Sequence, residues 1–209
     1  GLMFIGSEFN YPLANSLDNC TLLTHLTFGF DYNQPLGSSL NNCTLLTHIK
    51  FGYSFSKPLD NSLVVCTSLT HVIFGEHFNE PLANSFDNCT SLTHLTFGYY
   101  FSKPLGNSLN NCTSLTHLTF GDCFSQPLCD ALVVCTALTI LVFGNGFNCP
   151  LYNALDNCSS LTHITFGECF NQPLNFFLYN LPLLVHIGLG CKFNQKIDLP
   201  YNVKTLSIN

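Results

Sequence analysis

The chain has 209 residues, of which 46% are hydrophobic and only 9% charged, a balance that supplies a folded core and excludes a disordered chain. Its formal net charge is −6, with six lysines and no arginine. Lysines so scattered make no basic stripe, which argues against nucleic acid as a partner, and no apolar run approaches the ~18 residues a membrane helix needs.

Glycine recurs every 23 residues, at Gly6, Gly29, Gly52, Gly75, Gly98, Gly121, Gly144, Gly167 and Gly190. A fixed period of this size marks a solenoid in which each repeat is one rung. The first rung is entered partway through: the chain starts at Gly1 with no initiator Met and no signal peptide, as expected of a fragment or processed product. Within a rung the first element is a short strand. Leu23, Leu26 and Phe28 are apolar while Thr27 alternates between them, the pattern of a half-buried strand. Gly29 ends it, where a backbone without Cβ is free to turn. Tyr32, which is Phe in the other rungs, comes next, then Pro35 and Leu36; proline lacks the donor a central strand requires. The following stretch, such as Asn15-Ser16-Leu17-Asp18-Asn19, has helix-cap chemistry but too few residues for a helix, and predicts a short 3₁₀ or one-turn helix.

Seven of the 12 cysteines fall in one column: Cys20, Cys43, Cys66, Cys89, Cys112, Cys135 and Cys158. Leu181 takes the same place one rung later, so the column reads as a row of reduced core thiols rather than disulfides or metal ligands. Cys123, Cys129, Cys149, Cys169 and Cys191 lie outside it, and Cys169 with Cys191 is the pair to test for a bridge. Buried free thiols favour an intracellular setting, with extracellular residence as the alternative.

The L-x-x-L-x-F strand with a Cys three residues before it resembles leucine-rich repeats. More specifically, F-N-Q-P-L at Phe170 to Leu174, with variants at Phe9 to Leu13 and Phe78 to Leu82, is similar to the FNIP repeat. Its companion T-H-L-T-F-G recurs at Thr24 to Gly29, Thr93 to Gly98 and Thr116 to Gly121. That family occurs chiefly in social amoebae and in giant viruses of amoebae, often behind an F-box. The resemblance implies a leucine-rich-repeat-like solenoid with a parallel β-sheet on its concave face and loops or short 3₁₀ turns opposite. It also implies a binding scaffold, in some members a substrate receptor for ubiquitin ligation.

The expected organisation is a single solenoid domain over 1–209 of about nine rungs, regular through 190 and degenerate over 191–209. A longer unit of three rungs underlies it: the Pro12 and Pro81 rungs match, as do those at Pro35 and Pro104, while those at Pro58 and Pro127 carry Val64-Val65 and Val133-Val134. After Gly190 the strand pattern returns early, as Val203, Leu206 and Ile208, in keeping with a terminal rung that caps the stack.

The outward strand positions hold a histidine column, His25, His48, His71, His94, His117, His163 and His186, interrupted by Ile140. Neighbouring rungs would bring its imidazoles to about 5 Å. The flanking threonines offer no carboxylate to orient a metal-ligating ring, so the row reads as solvated or partner-facing, with no metal and no cofactor. Mutual repulsion of charged imidazoles predicts partner binding that weakens below about pH 6. Ile140 and Val142 on one rung, and Ile73 on another, replace polar residues on this face and form candidate apolar clusters, against drift copied by the three-rung duplication. The partner-binding surface is therefore assigned to His71, Ile73, His94, Thr96, His117, Thr119, Ile140 and Val142. The N-C-T and N-C-S tracts at Asn19, Asn42, Asn88, Asn111 and Asn157 match glycosylation acceptors, although a backbone-bonding Asn explains them more simply.

Ser, His and Asp recur in separate columns that converge nowhere, so no enzyme is expected. The function expected is non-enzymatic protein–protein interaction with an unidentified protein. The alternatives are end-to-end self-association through the exposed half-rung Leu2 to Ile5, and an extracellular adhesion or glycan-binding surface.

Overall fold

A computed structural model describes residues 1–174 and 177–208. Ten strands form one all-parallel sheet whose order is the chain order. They are β1 (Leu2–Phe4), β2 (His25–Thr27), β3 (His48–Lys50), β4 (His71–Ile73), β5 (His94–Thr96), β6 (His117–Thr119), β7 (Ile140–Val142), β8 (His163–Thr165), β9 (His186–Leu189) and β10 (Thr205–Ile208). Register is the sequence period made visible: His48 pairs with His71, Ile49 with Val72 and Lys50 with Ile73, a shift of one rung at every step. Only the last step departs, since Thr205 pairs with His186 in the shortened terminal rung.

The interior is a set of columns. The central residue of each strand from β2 to β8 is buried, and Phe28, Phe51, Phe74, Phe97 and Phe120 stack below it with centroids 5.2 to 5.5 Å apart and nearly parallel planes. A second aromatic column runs from Tyr32 through Phe55, Phe78, Phe101, Phe124, Phe147 and Phe170 at 5.9 to 6.3 Å. The two columns touch within a rung, Phe74 and Phe78 lying 3.9 Å apart. No single rung encloses these rings; each is covered by the rungs above and below, which is why a solenoid is stable only as a stack.

The cysteine column is buried from Cys43 through Cys158, with Leu181 continuing it, and all 12 cysteines are free thiols, Cys169 and Cys191 included. Burial pushes the Cys66, Cys89 and Cys158 thiols up to about 12 and that of Cys135 to about 11.

Three expectations are revised. The strands are shorter than the Leu23-to-Phe28 pattern, covering three residues each up to β8. The segments before the cysteines form strings of tight turns, and the one 3₁₀ helix among the described residues is Leu178–Asn180. The physical cause is a left-handed residue two positions after each repeat proline from Pro12 to Pro150: Ala14, Gly37, Asp60, Ala83, Gly106, Cys129 and Tyr152 have φ between 37° and 53°. A positive φ reverses the local winding, so the amides of Ser16, Asp18 and Cys20 each bond the carbonyl three residues back without joining into a helix. The repeat glycines, lastly, serve close approach rather than turning. A Cβ on Gly98 would overlap the carbonyl oxygen of Gly75, and one on Gly121 that of Gly98.

Candidate functional site

On the outer face of the sheet three columns run side by side. The first is the threonine before each strand from β2 to β8, the second the strand's first residue, and the third its last. In-register pairing carries His71, His94, His117 and Ile140 into one row, and Ile73, Thr96, Thr119 and Val142 into the next. All eight residues assigned from the sequence thus occupy one surface, spanning β4 to β7. Its apolar members lie on two separate rungs. Ile73 lies on β4 and Val142 on β7, three strand spacings or about 14 Å apart. Ile73 lines a shallow recess of about 210 Å³ with His25, His48, Lys50 and His71, whereas Val142 belongs to a separate groove with Asp122, Asn145, Thr165 and Glu168.

The histidines form a stack. His25, His48, His71, His94 and His117 have ring centroids 4.1 to 4.2 Å apart and interplanar angles of 10° to 12°. Ile140 interrupts it; beyond, His163 and His186 are 5.5 Å apart and tilted by 32°.

The threonine column orients the rings. Thr47 Oγ1 donates to the Thr24 carbonyl at 2.9 Å, and Thr70, Thr93 and Thr116 repeat this onto the preceding rung at 3.0 Å. Each hydroxyl also lies 2.8 to 2.9 Å from the Nδ1 of the next residue's imidazole, in His48, His71, His94 and His117. A hydroxyl has one proton, and here it is committed to the carbonyl. The contact with the ring must therefore be an Nδ1–H donated to the threonine oxygen. The neutral ring then carries its lone pair on Nε2, and among the described residues no donor reaches these Nε2 atoms. The face presents a row of hydrogen-bond acceptors of one fixed tautomer.

Charge is resisted at the three inner rings, His48, His71 and His94. Burial, then the neighbouring imidazoles, pull the His71 pKa down to about 4, and the same two causes lower those of His48 and His94. Protonation of His71 is thereby displaced well below the ordinary imidazole range. The group that orients each imidazole is a threonine hydroxyl rather than a carboxylate. Parallel rings nonetheless send their lone pairs side by side, and among the described residues no group of three or more His, Cys, Asp or Glu is arranged around a metal position.

Asn42, Asn88 and Asn157 donate through Nδ2 to the Asp18, Val64 and Val133 carbonyls at 2.9 to 3.0 Å, so these amides tie one rung to the one before. Sequence reasoning passed over the two positions after each repeat glycine. The signal was there in Phe30, Tyr53 and Tyr99, aromatic at one offset in three rungs.

A parallel sheet built one strand per repeat, with an ordered polar face, defines a leucine-rich-repeat solenoid. The profile of the BspA-type leucine-rich repeat region matches six copies over residues 7–116, 65–183 and 107–208, and the chain belongs to that family. No curated protein matches the sequence. Among solved structures, a crystal structure of CroV588, described as a novel circular leucine-rich-repeat protein, is 35% identical over 99% of this chain with a TM-score of 0.82. A chain of the Toll–Spatzle complex of Drosophila is similar over 99% of this chain, at 15% identity and a TM-score of 0.79. An internalin from Listeria monocytogenes is similar over 87% of this chain and 64% of its own, at 16% identity and a TM-score of 0.50. The chain spans about 30% of the CroV588 chain and 29% of the Toll-complex chain. Among the described residues no helix is long and apolar enough to cross a membrane.

Proposed function

We propose that the protein is a recognition scaffold that binds a protein partner on the outer face of its sheet, through His71, Ile73, His94, Thr96, His117, Thr119, Ile140 and Val142. The observation that carries this reading is the row of stacked imidazoles whose Nδ1–H groups are held by threonine. It offers acceptors at one strand spacing, rigidly placed before any partner arrives, and preorganised groups lose little freedom on binding. The partner contributes donors along a line, with an apolar contact at Ile73. The ordinary use of such solenoids as interaction surfaces supports the same reading. Within it, the F-N-Q-P-L and T-H-L-T-F-G tracts favour the FNIP type, and through that resemblance alone a substrate-recognition role beside an F-box.

The test is affinity capture and crosslinking with three proteins: the native chain, a His94→Phe/His117→Phe variant, and a control variant in the opposite turns, Asn107→Asp. Phenylalanine keeps an aromatic ring in the stack and removes the acceptor. A partner retained by the native chain and the control but lost by the double variant supports the assignment. Equal retention by all three contradicts it.

A second reading has its own support. The CroV588 structure, 35% identical, is described as circular, and the edge strand here exposes Leu2 and Phe4. In that reading the solenoid is an arc of a larger closed assembly, and light scattering across a concentration series distinguishes it from a monomeric receptor.

A further inference from the structure

The two residues after each repeat glycine sit on a turn, and the turns stack. The His77 amide donates to the Tyr53 carbonyl at 3.0 Å and the Tyr100 amide to the Glu76 carbonyl at 2.9 Å. Side chains at these positions therefore form a ridge beside the sheet, separate from the histidine row. Over four rungs the ridge is aromatic. Phe30 stacks on Tyr53 at 4.5 Å and 4°, Tyr53 meets His77 at 4.5 Å, His77 meets Tyr100 edge-on at 5.2 Å, and Tyr99 meets Tyr100 at 4.8 Å and 75°. These are not core rings: Phe30, Tyr53, Tyr99 and Tyr100 are between 40% and 52% exposed. Single exposed aromatics need no explanation, but a continuous run of them marks a contact surface.

Within this run Glu76 is the carboxylate that lines a recess. Tyr53, Glu76, Tyr99 and Tyr100 line an open recess of about 460 Å³. Glu76 Oε2 accepts the Tyr99 amide at 2.9 Å, which fixes the carboxylate among the rings and leaves its other oxygen uncommitted. The charge of the ridge points the same way. Its turn positions hold Glu8, Asp31, Glu76, Asp122 and Glu168, against the single cation Lys192 at the far end.

We propose that this recess binds the guanidinium group of an arginine side chain presented by a protein partner. Aromatic faces attract cations, and an anchored carboxylate completes the pairing. An open, shallow site suits guanidinium better than ammonium, because the planar group stacks on a ring while its edge donates to the carboxylate, and it loses less hydration in doing so. The histidine row has no part in this site, so the proposal stands or falls independently of the sheet-face assignment.

The experiment is a titration of the full chain with a capped Gly-Arg-Gly peptide, followed by calorimetry and backbone NMR. Matched peptides carry citrulline, lysine or trimethyllysine in place of arginine, and maltoheptaose serves as a neutral stacking ligand. Arginine is expected to bind about tenfold more tightly than citrulline, its uncharged isostere, with shifts centred on Tyr53, Tyr99 and Tyr100. Glu76→Gln retains an acceptor for the Tyr99 amide and is expected to lower arginine affinity about tenfold, and Tyr100→Ala by a similar factor, with melting temperatures unchanged. Equal binding of arginine and citrulline, preference for trimethyllysine or maltoheptaose, or unaltered affinity in the folded Glu76→Gln variant would each overturn the proposal.

Discussion

Tyr32 is the odd member of its column, and its hydroxyl is buried with no hydrogen-bond partner. Burial alone pushes its pKa up to about 12, so the proton stays on but gains nothing. A buried polar atom without a partner costs about 1 to 3 kcal/mol, so Tyr32→Phe is expected to raise stability by about 1 kcal/mol in denaturant melts. The histidines make a second prediction at this scale. His48, His71 and His94 have folded pKa values below their unfolded ones. Above about pH 6.5 both states are neutral and nothing is gained or lost. As pH falls below that, the unfolded chain takes up protons that the stack refuses, and stability declines until the folded rings protonate, near pH 4 for His71. Chemical denaturation at pH 7 and pH 5 is expected to show lower stability at pH 5, with a smaller difference in His71→Phe.

Among the elements, the turn after the proline is where sequence and conformation disagree most. Gly37 and Gly106 suit a left-handed backbone, but Ala14, Asp60, Ala83, Cys129 and Tyr152 adopt it at a cost of roughly 1 kcal/mol each. Asp60→Gly is therefore expected to stabilise by about 0.5 to 1 kcal/mol, and Gly37→Ala to destabilise by about as much. No atom lies within 4 Å of a Cβ built on Gly37, so backbone strain is the only term tested there. This feature was hidden because five of the seven positions carry side chains that conceal the requirement. The strands, by contrast, were legible: Leu26 and Phe28 around Thr27 announce a half-buried strand, and the 23-residue repeat sets its register. Their short length was not, since it is decided by where the next rung's turn approaches.

For the whole molecule, a period that never slips made the stack and its buried thiol column readable from Cys43 and Leu181 alone. The column is expected to behave as one unit. Thiol labelling of the native protein should modify the exposed Cys129 and Cys191 first and spare Cys66, Cys89 and Cys112 until unfolding, as peptide mass spectrometry will read out. The candidate site was only half visible. Its residues could be placed in rows, but the ring tautomer depends on a hydroxyl reaching the carbonyl of the rung before, which is a relation between repeats rather than within one. The recess around Glu76 was hidden for a different reason, because its tyrosines come from positions that do not repeat faithfully.

Long-range proton–nitrogen NMR correlation of the histidine side chains at pH 7.5 addresses the tautomer directly. His48, His71, His94 and His117 are expected to carry a protonated Nδ1 and an unprotonated Nε2, with no change in that state for His71 down to pH 5.5. Rings protonated on Nε2 instead, or a His71 ring already charged at pH 6, would contradict the tautomer argument, and with it the row of acceptors on which the proposed recognition face depends.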